Sequence, residues 1–194
     1  MALPYINHVA LPVDDVDRVS AFYVDWFGAR VIPSPRFPVP VAWLMLGKIQ
    51  IHLVQHDAAA DRQGQGPWSS AYHFAIAIDD LPGFVQLYDR AHHEGVVDTE
   101  TFPHHTYELP RGEVQFWLRD PAGNVIEVDY ADATALPPHI SQQVRTWAGD
   151  HELSDWNRAA SLFRPEQAGI ALSGDLGGGY AEGDHSADSQ AVSA

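Results

Sequence analysis

The chain contains no cysteine. Disulfides, thiolate catalysis and thiolate metal sites are therefore excluded, and the redox compartment stays undecided. It has no apolar run approaching the ~20 residues that a membrane-crossing helix requires. Positive charge is scarce, with 11 Lys and Arg against 26 Asp and Glu, a net charge of −15. So acidic a chain is a poor partner for nucleic acid or an anionic membrane, and it attracts cations. Met1 to Asn7 shows no charged segment leading into an apolar stretch, so no secretory leader is expected and the default location is the cytoplasm.

Histidine, in contrast, is plentiful: 11 residues, as many as Lys and Arg together. Without thiolates, any metal must be held by imidazole and carboxylate, which favours Zn, Fe, Mn, Ni or Co over an iron–sulfur cluster or Cu(I). A hydrophobic fraction of 45% with 19% charged residues is a globular composition. The 194 residues suit one domain, or two small half-domains around one core.

The chain repeats itself. The segment HVALPVDDVDRVSAFY from His8 aligns with HFAIAIDDLPGFVQLY from His73, an offset of 65 residues (73 − 8). His8, Ala10, Asp14, Asp15 and Tyr23 meet identical residues at His73, Ala75, Asp79, Asp80 and Tyr88, and apolar positions match between them. His8 to Val13 and His73 to Ile78 read as strands. Asp14 or Asp15, and Asp79 or Asp80, are placed to cap a following helix. Positions 16, 19, 22, 23 and 26, like 81, 84, 87, 88 and 91, have helical spacing, and Gly28 and Gly95 stand where each helix should stop. Val41 to Leu46 and Lys48 to Val54 then suggest a hairpin about Gly47. Val114 to Arg119 and Asn124 to Tyr130 flank the turn sequence Asp120-Pro121-Ala122-Gly123.

Each half thus reads β-α-β-β-β, over about residues 4–56 and 70–131 of a domain spanning 1–131. The fold class expected is α/β in the broad sense (α+β), a curled mixed sheet around a cleft with helices outside. The polar, Gly-rich stretch from Asp57 to Ser70 reads as the linker. Residues 132–172 are expected as a helical extension, with helices over Pro138 to Ala148 and Ser154 to Phe163. Residues 173–194 are expected to be disordered.

Four polar residues occupy matching places. His8 and His73 open the first strand of each half. His52, within Ile51-His52-Leu53, and Glu127, within Ile126-Glu127-Val128, point away from their apolar neighbours in the last strand of each half. If the halves pack about a pseudo-twofold axis, His8, His52, His73 and Glu127 converge in the groove. His104, His105 and Tyr107 read as a polar loop before a strand of the second half, where they either contact substrate, with His105 and Tyr107 as catalytic candidates, or are merely solvated. His92 and His93, near a helix C-terminus, read as structural. Phe37, Trp43, Tyr107, Phe116 and Trp117 lie near the expected cleft in sequence and suit a planar small-molecule substrate.

These strings, together with Asn7-His8-Val9-Ala10-Leu11, His73-Phe74-Ala75-Ile76 and above all Asp120-Pro121-Ala122-Gly123-Asn124-Val125-Ile126-Glu127, resemble the vicinal oxygen chelate superfamily. That superfamily includes glyoxalases, bleomycin- and fosfomycin-resistance proteins and extradiol dioxygenases, and the resemblance covers roughly residues 4–131. It implies a divalent metal ion held by His8, His52, His73 and Glu127, with Fe(II) favoured and Zn, Mn, Ni or Co as alternatives. His52 is either a ligand or an acid–base residue beside the metal. The activity implied is a ring-cleaving-type dioxygenase acting on an aromatic or polyoxygenated metabolite. A glyoxalase-like lyase or isomerase and a non-catalytic drug-binding protein are the alternatives. A homodimer is the expected assembly.

Overall fold

In the computed structural model the described residues are 5–56, 72–97, 106–150, 152–160 and 162. The first half runs β1 (His8–Val13), α1 (Val16–Phe27), β2 (Arg30–Ile32), β3 (Val41–Leu46) and β4 (Ile49–Gln55). The second runs β5 (His73–Ala77), α2 (Leu81–Glu94), β6 (Tyr107–Glu108), β7 (Val114–Arg119) and β8 (Val125–Tyr130). Each half builds its own mixed sheet. The orders are β1-β4-β3-β2 and β5-β8-β7-β6, so the repeat holds strand for strand. In both, the first strand lies parallel to the last, and the remaining pairs are antiparallel.

The helices start and stop where the sequence dictates. Asp15 accepts from the Arg18 amide at 2.9 Å, and Asp80 from the Gly83 amide at 2.8 Å, each satisfying an amide that the first helical turn leaves without a partner. Gly28 and Gly95 end α1 and α2 with φ of 65° and 69°, a left-handed conformation that costs glycine no Cβ clash. Val16, Val19, Phe22 and Tyr23 of α1 and Phe84, Leu87, Tyr88 and Ala91 of α2 are buried in one continuous core with Leu44, Leu53, Phe116 and Ile126. Trp26, last of the expected stripe on α1, is only partly buried, with the Arg90 guanidinium 4.1 Å above its ring.

The halves are joined through the turn between β7 and β8. Asp120 is buried and accepts four hydrogen bonds: from the amides of Ala122 and Asn124, from Asn124 Nδ2, and from the Tyr23 hydroxyl of α1 at 3.0 Å. Burial pushes the Asp120 carboxyl up, and the hydrogen bonds oppose that rise. Asn124 Nδ2 also donates to the carbonyl of Pro12 in β1 at 3.2 Å. The turn motif thus fixes its own loop and ties α1 and β1 to the second sheet.

The extension differs from expectation. The stretch expected as one helix from Pro138 is broken into α3 (Pro138–Ser141), β9 (Arg145–Thr146) and α4 (Trp147–Asp150), and α5 covers only Asp155–Ala159. The reason lies at the sheet edge. β6 would otherwise present open backbone groups, and β9 pairs with it in parallel, the Arg145 amide donating to the Thr106 carbonyl at 2.9 Å. Ile140 of α3 is fully buried in the core. The expected linker at 57–70 and the tail at 173–194 lie outside the described residues. Among the described residues no helix is long and apolar enough to cross a membrane.

Candidate functional site

Sheet register places the four candidate residues. In the first half Ala10 of β1 stands opposite His52 of β4; in the second, Ala75 of β5 stands opposite Glu127 of β8. His52 and Glu127 are therefore structural equivalents, each two strand positions beyond the level of the histidine that opens the neighbouring strand. The equivalence extends one strand further. Trp43 of β3 faces His52, and Trp117 of β7 faces Glu127. Both tryptophans thus share a sheet face with the candidate donors.

The first pair is a stack of rings. His8 and His52 lie 4.2 Å apart at 14°, and His52 lies 4.4 Å from Trp43 at 7°. Phe37 follows at 6.5 Å from Trp43. His8 Nδ1 is 2.6 Å from Asn7 Oδ1, and His52 Nε2 is 2.8 Å from Gln50 Oε1. Burial, and then the neighbouring His8, push the His52 imidazole below its ordinary pKa, which favours its neutral, electron-donating form.

The second pair joins imidazole to carboxylate. His73 Nε2 lies 3.4 Å from Glu127 Oε2, and the His73 ring meets Trp117 edge-on at 4.7 Å. Glu127 is only 6% exposed, and burial pushes its carboxyl up while a hydrogen bond with Asp129 opposes the shift. Trp117 Nε1 is buried and finds no hydrogen-bond partner among the described residues.

The structure brings His8 to His52, and His73 to Glu127. Among the described residues no group of three or more His, Asp or Glu gathers where a metal ion could sit, so the four candidates stand as two pairs. In kind they fit a divalent cation. All offer nitrogen or carboxylate donors, and a buried carboxylate disfavoured as an anion gains most from a nearby positive charge.

Other expectations resolve differently. His104 and His105 lie outside the described residues. Tyr107 is no loop residue: it opens β6, is 3% exposed and meets the Trp147 ring at 6.4 Å. Phe116 belongs to the opposite face from Trp117, packing against Phe84 and Tyr88 at 5.4 and 5.3 Å, as strand alternation requires. His92 Nδ1 contacts the Tyr88 carbonyl at 2.9 Å, within the last turns of α2. Trp43 and Trp117, expected near the cleft, do stand beside the candidate residues, whereas Asn7, next to a strand-opening histidine, was not expected to contact that ring.

Residues 5–128, more than half of the chain, match the family described as the Glyoxalase/Bleomycin resistance protein/Dioxygenase superfamily. This chain belongs to that superfamily. Within it, the chain is 31% identical over 88 residues to methylmalonyl-CoA epimerase, mitochondrial, of Mus musculus, covering 41% of this chain and 49% of that one. The chain thus spans about half the length of the curated relatives it matches. Its fold is similar to that of a lactoylglutathione lyase from Agrobacterium tumefaciens, with TM-score 0.50 and 24% identity over 70% of this chain and 100% of that one. It is likewise similar to the fosfomycin resistance protein FosX from Listeria monocytogenes, with TM-score 0.52 and 15% identity over 67% and 95% of the two chains. At these identities the two structures speak for the superfamily fold alone, the paired β-α-β-β-β plan described above.

Proposed function

We propose that this chain is a divalent-metal-dependent enzyme that binds two neighbouring oxygens of a small molecule and catalyses a proton transfer of the lyase or isomerase kind. The observation that carries the reading is the register: His52 and Glu127 occupy equivalent points of the two sheets, each beside a strand-opening histidine. Such repetition of competent donors supports His8, His52, His73 and Glu127 as the ligand set. A divalent ion bound there would supply Lewis acidity toward oxygens on which negative charge develops. His52, kept neutral by burial and by His8, is suited to accept a proton if it stands beside the ion rather than on it. Trp43 and Phe37 offer apolar ring surface along the first pair for a planar part of the substrate. The likeness to a methylmalonyl-CoA epimerase supports proton transfer ahead of oxygen chemistry.

The ring-cleaving dioxygenase is the second reading. It is favoured by His8, His73 and Glu127, which as two imidazoles and one carboxylate form the donor set that suits Fe(II) with open positions. The proposed assembly is a homodimer, and the proposed location is the cytoplasm.

Metal analysis of the purified, untagged chain tests the ligand set. One divalent ion per chain is expected, lost in His73→Ala and in Glu127→Ala with circular dichroism unchanged; full occupancy in both would show the set to be wrong. His52→Ala is expected to lose the ion as fully if His52 is a ligand, and to weaken binding by ~10–100-fold if it acts from beside the ion. Mixing His8→Ala with Glu127→Ala protein tests the assembly, since recovery of metal in the mixture requires donors from two copies at one site. Incorporation of deuterium from solvent into a panel of acyl thioesters and hydroxy-ketones, under anaerobic conditions, supports the proton-transfer reading. Oxygen uptake with catechols moves the assignment to the dioxygenase. Tight binding of a planar cationic drug by metal-free protein, with no turnover, moves it to a sequestering protein.

A further inference from the structure

A neutral imidazole carries one N–H and one lone pair, and a carboxamide oxygen accepts hydrogen bonds without donating them. His8 meets the Asn7 oxygen through Nδ1, and His52 meets the Gln50 oxygen through Nε2. With the carboxamide oxygens facing these nitrogens, the pairing is satisfied when each nitrogen carries the proton. That arrangement leaves the lone pairs on Nε2 of His8 and Nδ1 of His52.

We infer that Asn7 and Gln50 are positioning residues that hold the stacked imidazoles of His8 and His52 in opposite tautomers. The ring planes are held separately from the protons. His52 is sandwiched between Trp43 at 4.4 Å and His8 at 4.2 Å, both nearly parallel to it, so the Gln50 contact selects the nitrogen and the stack fixes the plane. Gln50 stands opposite His8 in the β1–β4 register, and its amide donates to the Asn7 carbonyl at 3.0 Å. The four residues are thus one hydrogen-bonded cluster at the start of the two strands, with both carboxamides on the backbone that presents the rings. His8 is the informative member, because a free neutral histidine favours its Nε2–H form and Asn7 imposes the other one. As a statement about metal donors the inference rests on the proposed function, since it names the lone pair that each histidine offers a cation. As a statement about tautomers it needs no metal.

The test is a two-bond ¹H–¹⁵N correlation spectrum of the full ¹⁵N-labelled chain, metal-free, at a pH where both rings are neutral. His8→Ala and His52→Ala variants assign the two rings. His8 is expected protonated at Nδ1 and His52 at Nε2. Asn7→Ala should convert His8 to the Nε2–H form, while Asn7→Asp, which keeps an acceptor oxygen, should retain Nδ1–H. Gln50→Leu should speed solvent exchange of the His52 Nε2 proton at least tenfold, and Gln50→Glu should preserve its protection. His8 protonated at Nε2 in the unsubstituted chain overturns the inference without recourse to any variant. So does Nδ1–H persisting in folded Asn7→Ala protein. Both expected tautomers in a chain that takes up no Zn(II) or Co(II) would sustain this inference and sink the proposed function; metal uptake with His8 protonated at Nε2 would do the reverse.

Discussion

The two halves share a plan and differ in what surrounds it. In the first, the strand β4 that carries His52 is partly open, and His52 and Trp43 are half-buried. In the second, every residue of β8 is buried, and Glu127 and Trp117 are nearly inaccessible. The first sheet ends at the three-residue edge strand β2, whereas the second is extended by β9 and backed by Ile140 and Leu136 of the extension. The kinds of polar side chain differ with the surroundings. The more open half holds two imidazoles, exposed His8 and half-buried His52, and burial pushes the His52 imidazole below its ordinary pKa. The closed half holds a carboxylate, which is costly to bury as an anion and is set against an imidazole. The repeated strand register sets where the four candidate residues stand, and the two sheets differ in how deeply they bury them.

That contrast can be broken most forcefully through the extension. Ile140→Ala removes a fully buried side chain and should cost about 3 kcal/mol, read as a lower urea midpoint. Val31→Ala on the edge of the first sheet, where the residue is 57% exposed, should stay within about 0.5 kcal/mol. Equal losses would show that the extension is no more integral to the second half than an edge strand is to the first.

A smaller effect probes the join between halves. Tyr23→Phe deletes the hydroxyl that donates to Asp120 and should cost about 1–2 kcal/mol at neutral pH. This hydrogen bond favours the ionised carboxyl, so its contribution is present where Asp120 is charged and fades as pH falls and the group protonates. Urea midpoints of both proteins from pH 7 to pH 3 should therefore converge. A gap that widens toward acid would show the bond to favour protonated Asp120.

The smallest effect sharpens a local difference. Asp14 pairs with Arg18 at the start of α1 at 2.7 Å, and Gly83 takes the place of Arg18 in the second half. The pair is well exposed, so Arg18→Ala should cost only about 0.3 kcal/mol. Hydrogen bonding to Arg18 holds the Asp14 carboxyl below its ordinary pKa. The contribution is thus complete above the unfolded carboxylate value of about 4 and is lost as pH falls through the folded one. A loss that is insensitive to both salt and acid would assign it to side-chain packing instead.

Much of this was legible in the residues. The repeat from His8 and His73, the aspartate caps and the glycine stops are local signals, and local signals survive translation into structure. Alternation along a strand turns His52 and Glu127 away from their apolar neighbours, and the same rule sends Phe116 to the core rather than to the expected cleft. What the sequence withheld is non-local. The bond between Tyr23 and Asp120 joins residues far apart in the chain, and nothing near either one announces the other. β9 is only two residues long and owes its strand form to the open edge of β6 rather than to its own propensity. The standing of the four candidate residues as two pairs depends on how one sheet sits against another, which the periodicity of a single strand does not encode.

The pairing of β9 with β6 also bears on how the chain matures. During synthesis β6 leaves the ribosome well before Arg145 and Thr146, so for an interval its outer edge has no covering strand. In that interval the edge has unpaired backbone groups, and its two-residue length limits how far another strand can pair with it. Closure by the extension ends that exposure, since β9 takes up the β6 edge. A chain truncated before Pro138 would carry that vulnerability permanently.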